Sequence, residues 1–458
     1  MRAGRAIITV RDEHRKERAL FKILFKTLSL LLTLALTTGL AITAHAQTAN
    51  DTEKRSWLYY WQQAVNAHKK QDHAAFLTNA EAVSEAGPKN HPVILLLLAR
   101  AYSLAGKKAE AVRTLEQIAG LGLSVDASAN ADLKSLIGWP EFERVVGKLN
   151  ANKAPAIRGT TAFTISEKDL IPEGIAYDPV GKRFYVGSMY KSKIVSIDLK
   201  GGVRDFTTEG QDGLTGVVGM RVDAPRRILW VNTVVLPELR GFKKENDGIS
   251  AIHKYDLKTG RFIKRYVLDN KPAPHLLNDI AVRANGDLFI TDSAAAEIHT
   301  LRASEDRLEP FLKLDQYLYP NGITLSDDEK LLFVADFAGI NVVNIDARTR
   351  TRLAYPETAT VSGIDGLYFY RDSLVAVQNG HDPARVVRFY LSPSRDSVTR
   401  AEVIESNHPA YNIPTTGAIA DGSFYYIANS QMRSFDAQGA IFSLDKLKPV
   451  VILKVPLG

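Results

Sequence analysis

The feature that most constrains this 458-residue chain is a unit that recurs six times in its C-terminal part. Each copy has a leading residue, an apolar-alternating strand of four to five residues, a turn, and a second strand that ends in a small or polar residue. Most turns carry Asp-Pro, Asn-Gly, Asp-Asp or Asp-Gly pairs. Units of this size, each able to supply four strands, predict a mainly β fold: a six-bladed β-propeller over residues 163–458. The copies occupy residues 173–188, 218–233, 278–293, 321–337, 365–379 and 416–430.

The leading residues of the six copies are predicted to form a ring at one mouth of the channel, because each precedes the strand that lines the channel of a propeller. Two carboxylates neutralise one divalent cation, and two carboxamides add oxygen ligands without charge. We therefore predict one divalent metal on four of these residues, with Ca²⁺ favoured over Mn²⁺, Mg²⁺ or Zn²⁺. The alternative is that these residues only begin strands, where Asn and Asp are common. The ring comprises Glu173, Val218, Asn278, Asn321, Asp365 and Thr416, and the metal ligands are Glu173, Asn278, Asn321 and Asp365.

A second set of polar residues is expected near the same mouth, because each hairpin returns there about fourteen residues later. Asp292 and Asp336 are candidates for orienting ligands or moving protons, although both residues also suit a simple strand end. His275 and His381 lie in loops expected at the mouth and are candidates for a general acid, with a merely solvated histidine as the alternative. The full set at the strand ends is Asn232, Asp292, Asp336, Asn379 and Asn429.

Four short motifs, each followed by its hairpin, resemble the senescence marker protein, gluconolactonase and luciferin-regenerating enzyme family. They are PEG at 172–174, ND at 278–279, PNG at 320–322 and DG at 365–366. The resemblance covers residues 163–458. It implies that Glu173, Asn321 and Asp365 are direct metal ligands and that Asn278 and Asp279 bind substrate, with Asn278 as a further candidate metal ligand. It also implies that Asp365 is the catalytic base or nucleophile.

One position departs from the pattern of this family. Sugar-lactone hydrolases of the family carry an arginine two residues before the Asn of the ND motif, and this chain has Leu276 there. Without this arginine the site lacks a charged group to bind a highly hydroxylated substrate, which disfavours gluconolactone itself as substrate. Together with Leu277, Tyr319 and Val218, Leu276 predicts an apolar mouth.

The resulting hypothesis is a metal-dependent hydrolase that acts on a lactone or related ester at the mouth of the channel. A cation there would polarise the carbonyl, and a carboxylate beside it would activate water or attack directly. Two alternatives remain. One is a non-catalytic, metal-stabilised propeller scaffold that binds a partner in the cell envelope, and the other is an aryl-ester or phosphotriester hydrolase.

Residues 52–150 have a different pattern, with apolar residues at three- and four-residue steps. The pattern resembles a tetratricopeptide repeat with a second, poorer copy 34 residues earlier, and it predicts a small α-helical domain before the propeller. This domain is interpreted either as a groove for a partner peptide or as an appendage packed on the propeller. The positions in the better copy are Leu95, Leu98, Ala99, Tyr102, Ala111, Leu115 and Ile118.

Residues 1–46 are predicted to be a signal peptide cleaved after Ala46. A basic stretch ends at Lys26, an uncharged run extends from Thr27 to Ala44, and Ala44-His45-Ala46 has small residues at the cleavage positions. An uncleaved anchor is the alternative.

The net charge is +7 over the whole chain, and this leader contributes +5 of it, so we expect no nucleic-acid partner. The chain has no cysteine, which excludes disulfides and thiolate sites. We expect an exported protein, periplasmic or secreted, without a membrane span after cleavage.

Overall fold

The computed structural model describes residues 56–315, 318–436 and 438–458, so the predicted signal peptide lies outside the described residues. Helices come first in the chain, as predicted. No helix in the described ranges is both long enough and apolar enough to cross a bilayer. The helices are α1 Trp57–Lys69, α2 His73–Ala86, α3 Pro92–Leu104, α4 Lys108–Gly120 and α5 Pro140–Ala151, and a short 3₁₀ turn spans Ala131–Leu136.

The helix boundaries follow local chemistry. The side chain of Asp72 accepts a hydrogen bond from the Ala75 amide at 3.0 Å and so caps α2. Helices α3 and α5 each begin with proline, which lacks the amide proton that a first turn leaves unpaired. The apolar stripe of the sequence forms the helical core, in which Leu115 and Ile118 are fully buried. The assignment of these helices to tetratricopeptide repeats stays a prediction.

The predicted six-bladed propeller is confirmed: the strands form six four-stranded antiparallel sheets. Five blades are built from consecutive strands, and the sixth combines the last three strands of the chain with the first one. The strands of the first three complete blades are β2 Pro172–Asp178, β3 Arg183–Ser188, β4 Ile194–Asp198, β5 Val203–Asp205; β6 Gly216–Asp223, β7 Ile228–Val234, β8 Ser250–Asp256, β9 Phe262–Leu268; and β10 Leu277–Val282, β11 Leu288–Asp292, β12 Glu297–Arg302, β13 Arg307–Lys313. The others are β14 Ile323–Leu325, β15 Leu331–Asp336, β16 Gly339–Asn344, β17 Thr349–Arg352; β18 Ile364–Phe369, β19 Ser373–Gln378, β20 Arg385–Leu391, β21 Val398–Ser406; and β22 Gly417–Ala420, β23 Ser423–Ile427, β24 Val450–Pro456 with β1 Thr160–Ile165.

The ring of blades is closed by its two ends. Strand β1 pairs antiparallel with β24, with Thr161 opposite Leu453 and Ile165 opposite Val450. The first strand of the propeller thus completes the last blade. This pairing joins the first and last blades and closes the ring. Apolar side chains fill the spaces between neighbouring blades, as Leu277 does between the second and third blades. That position corrects the expectation that Leu277 lines the mouth.

The helical segment packs on the fourth and fifth blades, at the end of the propeller where the inner strands begin. His91, before α3, lies against Phe337 with ring centroids 4.6 Å apart, and its Nε2 is 2.9 Å from the Phe337 carbonyl oxygen. The Ser124 amide donates to the Asp382 carbonyl at 2.7 Å. Because Phe337 and Asp382 follow the second strands of their blades, the helices cover part of the mouth that carries the predicted ring.

Candidate functional site

The leading residues of the six copies lie side by side, because each inner strand starts against the inner strand of the next blade. The residue that follows the leading one is usually glycine, and a side chain there would collide with a neighbouring backbone. Only glycine permits so close an approach. A Cβ added to Gly174 would lie 2.0 Å from the carbonyl oxygen of Val218. The corresponding distances are 2.1 Å from Gly219 to the Asn278 carbonyl oxygen and 2.3 Å from Gly322 to the Asp365 carbonyl oxygen.

Side-chain hydrogen bonds link two further pairs of neighbours. Asn278 Nδ2 donates to Ser293 Oγ at 3.1 Å, and Ser293 Oγ donates to the Pro320 carbonyl at 2.5 Å. On the other side, Thr416 Oγ1 donates to the carbonyl oxygen of Glu173. The sequence-predicted ring residues are therefore brought together, as neighbours from blade to blade.

The two carboxylates of the ring, Glu173 and Asp365, both have raised pKa values. Burial, followed by the charge of Asp365, raises the pKa of Glu173 well above its usual range. Burial also raises the pKa of Asp365 to about 6; hydrogen bonds from Asn379 and Asn321 act against this rise, and the charge of Asp279 adds to it. Two carboxylates this close in a poorly solvated site ionise together only at a high cost in free energy unless a cation compensates them.

Two oxygens of this group are buried and have no hydrogen-bond partner among the described residues: Glu173 Oε2 and Asn321 Oδ1. An unpaired buried acceptor costs about 1–3 kcal/mol. A hard divalent cation would satisfy both oxygens and neutralise both carboxylates. The donors are carboxylate and amide oxygens, which suit Ca²⁺ better than zinc. The residues present therefore fit a hard cation, which the ring would hold on Glu173, Asn278, Asn321 and Asp365.

The two residues of the ND motif have different surroundings. Asn278 is half-buried, and its carbonyl accepts from Asn232 Nδ2 at 3.0 Å. Asp279 is only 4% exposed and pairs with Arg221 at 3.4 Å. Burial raises the pKa of Asp279, against the opposing charge of Arg221. Asp279 is thus held in an ion pair with an inner-strand arginine that the sequence analysis did not single out.

A cluster that the sequence analysis foresaw only in part lies on the third blade. His275 Nδ1 is 2.6 Å from Asp292 Oδ2, and His299 Nε2 is 3.2 Å from the same oxygen. Burial alone would raise the pKa of Asp292, but hydrogen bonds from the two histidines and from backbone amides outweigh it and hold the pKa below its usual range. The hydrogen bond to Asp292 raises the pKa of His275. His299 lies on β12 inside the blade, and the sequence analysis missed it.

The other predicted residues of the second set have structural partners. Asp336 Oδ1 accepts from the Ala338 amide at 2.8 Å and from Arg352 Nη1 at 2.7 Å, while its Oδ2 accepts from Asn341 Nδ2 at 2.9 Å. These contacts tie the end of β15 to the next two strands. Asn379, by contrast, contacts a ring residue, because its Nδ2 donates to Asp365 Oδ2 at 2.6 Å.

His381 lies between the propeller and the helical segment. Its Nε2 is 3.0 Å from Ser362 Oγ, and its ring centroid is 6.3 Å from that of His91. Burial, with smaller contributions from His91 and Arg385, lowers the pKa of His381 to about 3. An imidazole that stays neutral throughout the physiological range is a poor proton donor to a leaving group.

One flank of the ring is apolar. Val218, a ring member, packs in a cluster with Ile171, Met189 and Val234. Leu276 packs against this cluster and is partly exposed. Val218 itself is buried, so of these two residues Leu276 is the one that is partly exposed beside the ring. The other partly buried members of the flank are Tyr190, Leu236, Met432, Phe435 and Ile441.

Comparisons with known proteins agree with the motifs. Residues 171–381 match the family model described as "SMP-30/Gluconolactonase/LRE-like region", and this range contains all four predicted metal ligands. A search of curated proteins found no significant match.

Solved structures that are similar to the chain include the following three. A gluconolactonase from Xanthomonas campestris is 16% identical, with a TM-score of 0.44 over 64% of this chain and 89% of that one. A luciferin-regenerating enzyme is 13% identical, with a TM-score of 0.44 over 67% and 96%. A PQQ-bound aldose sugar dehydrogenase from Streptomyces coelicolor is 14% identical, with a TM-score of 0.44 over 66% and 99%. A fold hosts many activities, so the functional argument depends on the site. By its match over residues 171–381, the propeller of this chain carries an SMP-30/gluconolactonase/LRE-like domain.

Proposed function

We propose that the chain is a metal-dependent hydrolase that opens a lactone or cleaves a related ester at the ring mouth. The observation that carries the proposal is the pair of buried carboxylates, Glu173 and Asp365, together with two buried oxygens, Glu173 Oε2 and Asn321 Oδ1, that lack hydrogen-bond partners among the described residues. Such a group is unfavourable by itself and becomes favourable around a divalent cation. The family of the domain, which includes gluconolactonases, supports the same chemistry.

The reaction would divide the work between the cation and the chain. A hard cation bound at the ring supplies Lewis-acid polarisation of the substrate carbonyl. Asp365 acts as the base: its carboxylate takes a proton from the water that attacks the carbonyl carbon and gives it to the alkoxide oxygen released when the ester C–O bond breaks. In the metal-free chain burial raises the pKa of Asp365 to about 6, and a bound cation opposes this rise and favours the ionised carboxylate that a base requires. Asn379 holds Oδ2 of this carboxylate in place through its hydrogen bond of 2.6 Å.

The substrate we infer is less polar than a sugar acid. The partly exposed Leu276 packs with other apolar side chains beside the ring, and Arg221, on the same inner strand as Val218, is paired with Asp279. An apolar flank favours a ligand that buries hydrocarbon and places only its ester group near the polar ring. We therefore expect lactones with alkyl substituents or aryl esters to be hydrolysed faster than gluconolactone.

The proposal is tested with a panel of lactones, aryl esters and phosphotriesters, assayed on metal-free protein to which Ca²⁺, Mn²⁺, Mg²⁺ or Zn²⁺ is added. We expect hydrolysis that requires added metal and falls by at least about 100-fold in Asp365→Ala, in line with the loss of a general base. Asp346→Ala, which removes an exposed carboxylate elsewhere on the fourth blade, serves as the matched control and should retain full activity. Absence of turnover with every metal, or equal turnover in the folded Asp365→Ala protein, would contradict the proposal and favour a binding scaffold.

A further inference from the structure

The cluster of His275, Asp292 and His299 on the third blade has the composition of a transition-metal site. One nitrogen from each histidine and one carboxylate oxygen all lie within 4.8 Å of one another. Imidazole and carboxylate together are typical ligands of Zn²⁺, whereas Ca²⁺ prefers oxygen donors alone. This donor set therefore differs in kind from that of the ring.

Two of the separations among the three donor atoms are close to those between the ligands of a bound ion. His275 Nδ1 and His299 Nε2 lie 2.6 and 3.2 Å from Asp292 Oδ2. Donors bound to zinc at about 2.0–2.1 Å in tetrahedral geometry lie about 3.3 Å apart. An ion would therefore enter by replacing the shared protons.

The surroundings hold two of the three ligands, Asp292 and His299, in place. The second oxygen of Asp292, Oδ1, accepts from the amides of Leu276 and Ala295 at 3.0 Å each, so the orientation of the carboxylate is fixed by the backbone. Outer hydrogen bonds such as those to Asp292 orient metal ligands in proteins. His299 is buried with its Nε2 directed at Asp292, and its Nδ1 has no hydrogen-bond partner among the described residues, so packing holds this ring.

The fourth blade shows that the fold does not require imidazole here. There Asp336 occupies the position of Asp292, at the end of the second strand, and Asn341 occupies that of His299, in the middle of the third strand. Asn341 Nδ2 donates to Asp336 Oδ2 at 2.9 Å, so an amide is sufficient to tie the two strands together. The third blade uses an imidazole at this position and adds His275 from the loop before β10.

We propose that His275, Asp292 and His299 bind a transition-metal ion of the Zn²⁺ class, at a site separate from the hard-cation ring. His275 is partly exposed, with 21% of its side chain accessible, so the ion would keep an open coordination position towards solvent near the mouth. This role excludes the role of general acid for His275, because the metal takes the nitrogen that otherwise shares a proton with Asp292.

The test is binding of Zn²⁺ to metal-free protein in the presence of excess Ca²⁺, which occupies the ring. Zinc content after dialysis and the visible absorption of a Co²⁺-substituted sample are measured for the wild type, His299→Asn and His275→Asn. The matched control is His253→Asn, which changes a buried histidine on the third strand of the neighbouring blade.

We expect one equivalent of Zn²⁺ in the wild type and in His253→Asn, with the intense Co²⁺ absorption of a four- or five-coordinate site. Affinity should fall at least tenfold in His299→Asn and in His275→Asn. Since His275 is a partly exposed loop residue, its variant keeps the test valid should His299→Asn fail to fold. Zinc affinity equal in the wild type and in folded His275→Asn, or zinc displaced by Ca²⁺, would overturn the proposal and leave the cluster as a charged hydrogen-bonded group.

Discussion

Among single residues, Asn379 controls the state of Asp365 most directly. Its amide donates to Asp365 Oδ2 at 2.6 Å and to the Pro414 carbonyl at 2.9 Å. A hydrogen bond to a carboxylate favours the charged form and so holds its pKa down. Asn379 therefore partly offsets the effect of burial on the proposed base.

Replacement of this amide should shift the pH dependence of hydrolysis. In Asn379→Ala the pKa of Asp365 rises, because the bond that favours the carboxylate is lost. The acid limb of the pH–rate profile should then move by about one unit to higher pH, which corresponds to a charged hydrogen bond of about 1.5 kcal/mol. Asn429→Ala removes the equivalent amide of the sixth blade, which donates to the Pro449 carbonyl. That control should leave the acid limb in place, and an unchanged profile in Asn379→Ala would count against Asp365 as the base.

At the residue scale, the sequence predicts the location of those residues that occupy equivalent positions in the six copies of the repeat. Alignment of the six copies places Glu173 and Asp365 in one ring, because the same position in every blade has the same surroundings. Arg221 and His299 are missed, since each is a single exception within a strand whose other copies are different. A charged residue in an otherwise apolar inner strand, as Arg221 is in β6, is the one signal that would have pointed to it.

At the scale of elements, the helical segment is held on the propeller by polar contacts to buried groups. Arg385 on β20 donates from Nη1 to the Leu121 carbonyl at 2.9 Å and from Nε to Gln378 Oε1 at 2.8 Å. These contacts favour the sequence interpretation of an appendage packed on the main domain. The periodicity of the helices predicted which residues form their cores. It did not predict which residues contact the propeller, because contacts between different elements leave no periodic pattern.

Loss of the Arg385 contact should loosen the helices. Arg385→Ala leaves the Leu121 carbonyl and the Gln378 amide oxygen without their donor, so the free energy of unfolding should fall by about 2–3 kcal/mol. Limited proteolysis should then cut the segment 57–151 faster than in the wild type. Arg388→Ala is the matched control, because Arg388 lies on the same strand but donates to Ser373 Oγ at 2.8 Å within the propeller. Equal cleavage of the helical segment in both variants would contradict a specific role for Arg385.

At the scale of the whole molecule, the ring joins blades that are far apart in sequence. Glu173 lies in the first complete blade and Asp365 in the fifth, yet the charge of Asp365 contributes to the raised pKa of Glu173. Sequence analysis predicts this architecture well, because repeat number and strand pattern determine the blades. The pairing of β1 with β24 is not predicted from the sequence, because this pairing joins the two ends of the repeat array and does not recur within it.

The most direct test of the cation ring is the free energy of unfolding of the metal-free chain as a function of pH, with and without Ca²⁺. A carboxyl whose pKa is raised by folding contributes stability below its unfolded pKa, and this contribution is lost as pH rises through the folded pKa. For Asp365 the loss should extend from about pH 4 through pH 6 and amount to about 3 kcal/mol.

The difference between the wild type and Glu173→Gln isolates the ring from all other acids of the chain. We predict that the metal-free wild type loses stability across this pH range, that Glu173→Gln loses less, and that saturating Ca²⁺ restores the wild type at pH 7 but not Asp365→Asn. Equal stabilisation of the wild type and Asp365→Asn by Ca²⁺, or no effect of Ca²⁺ on either, would contradict a cation site on Glu173, Asn278, Asn321 and Asp365.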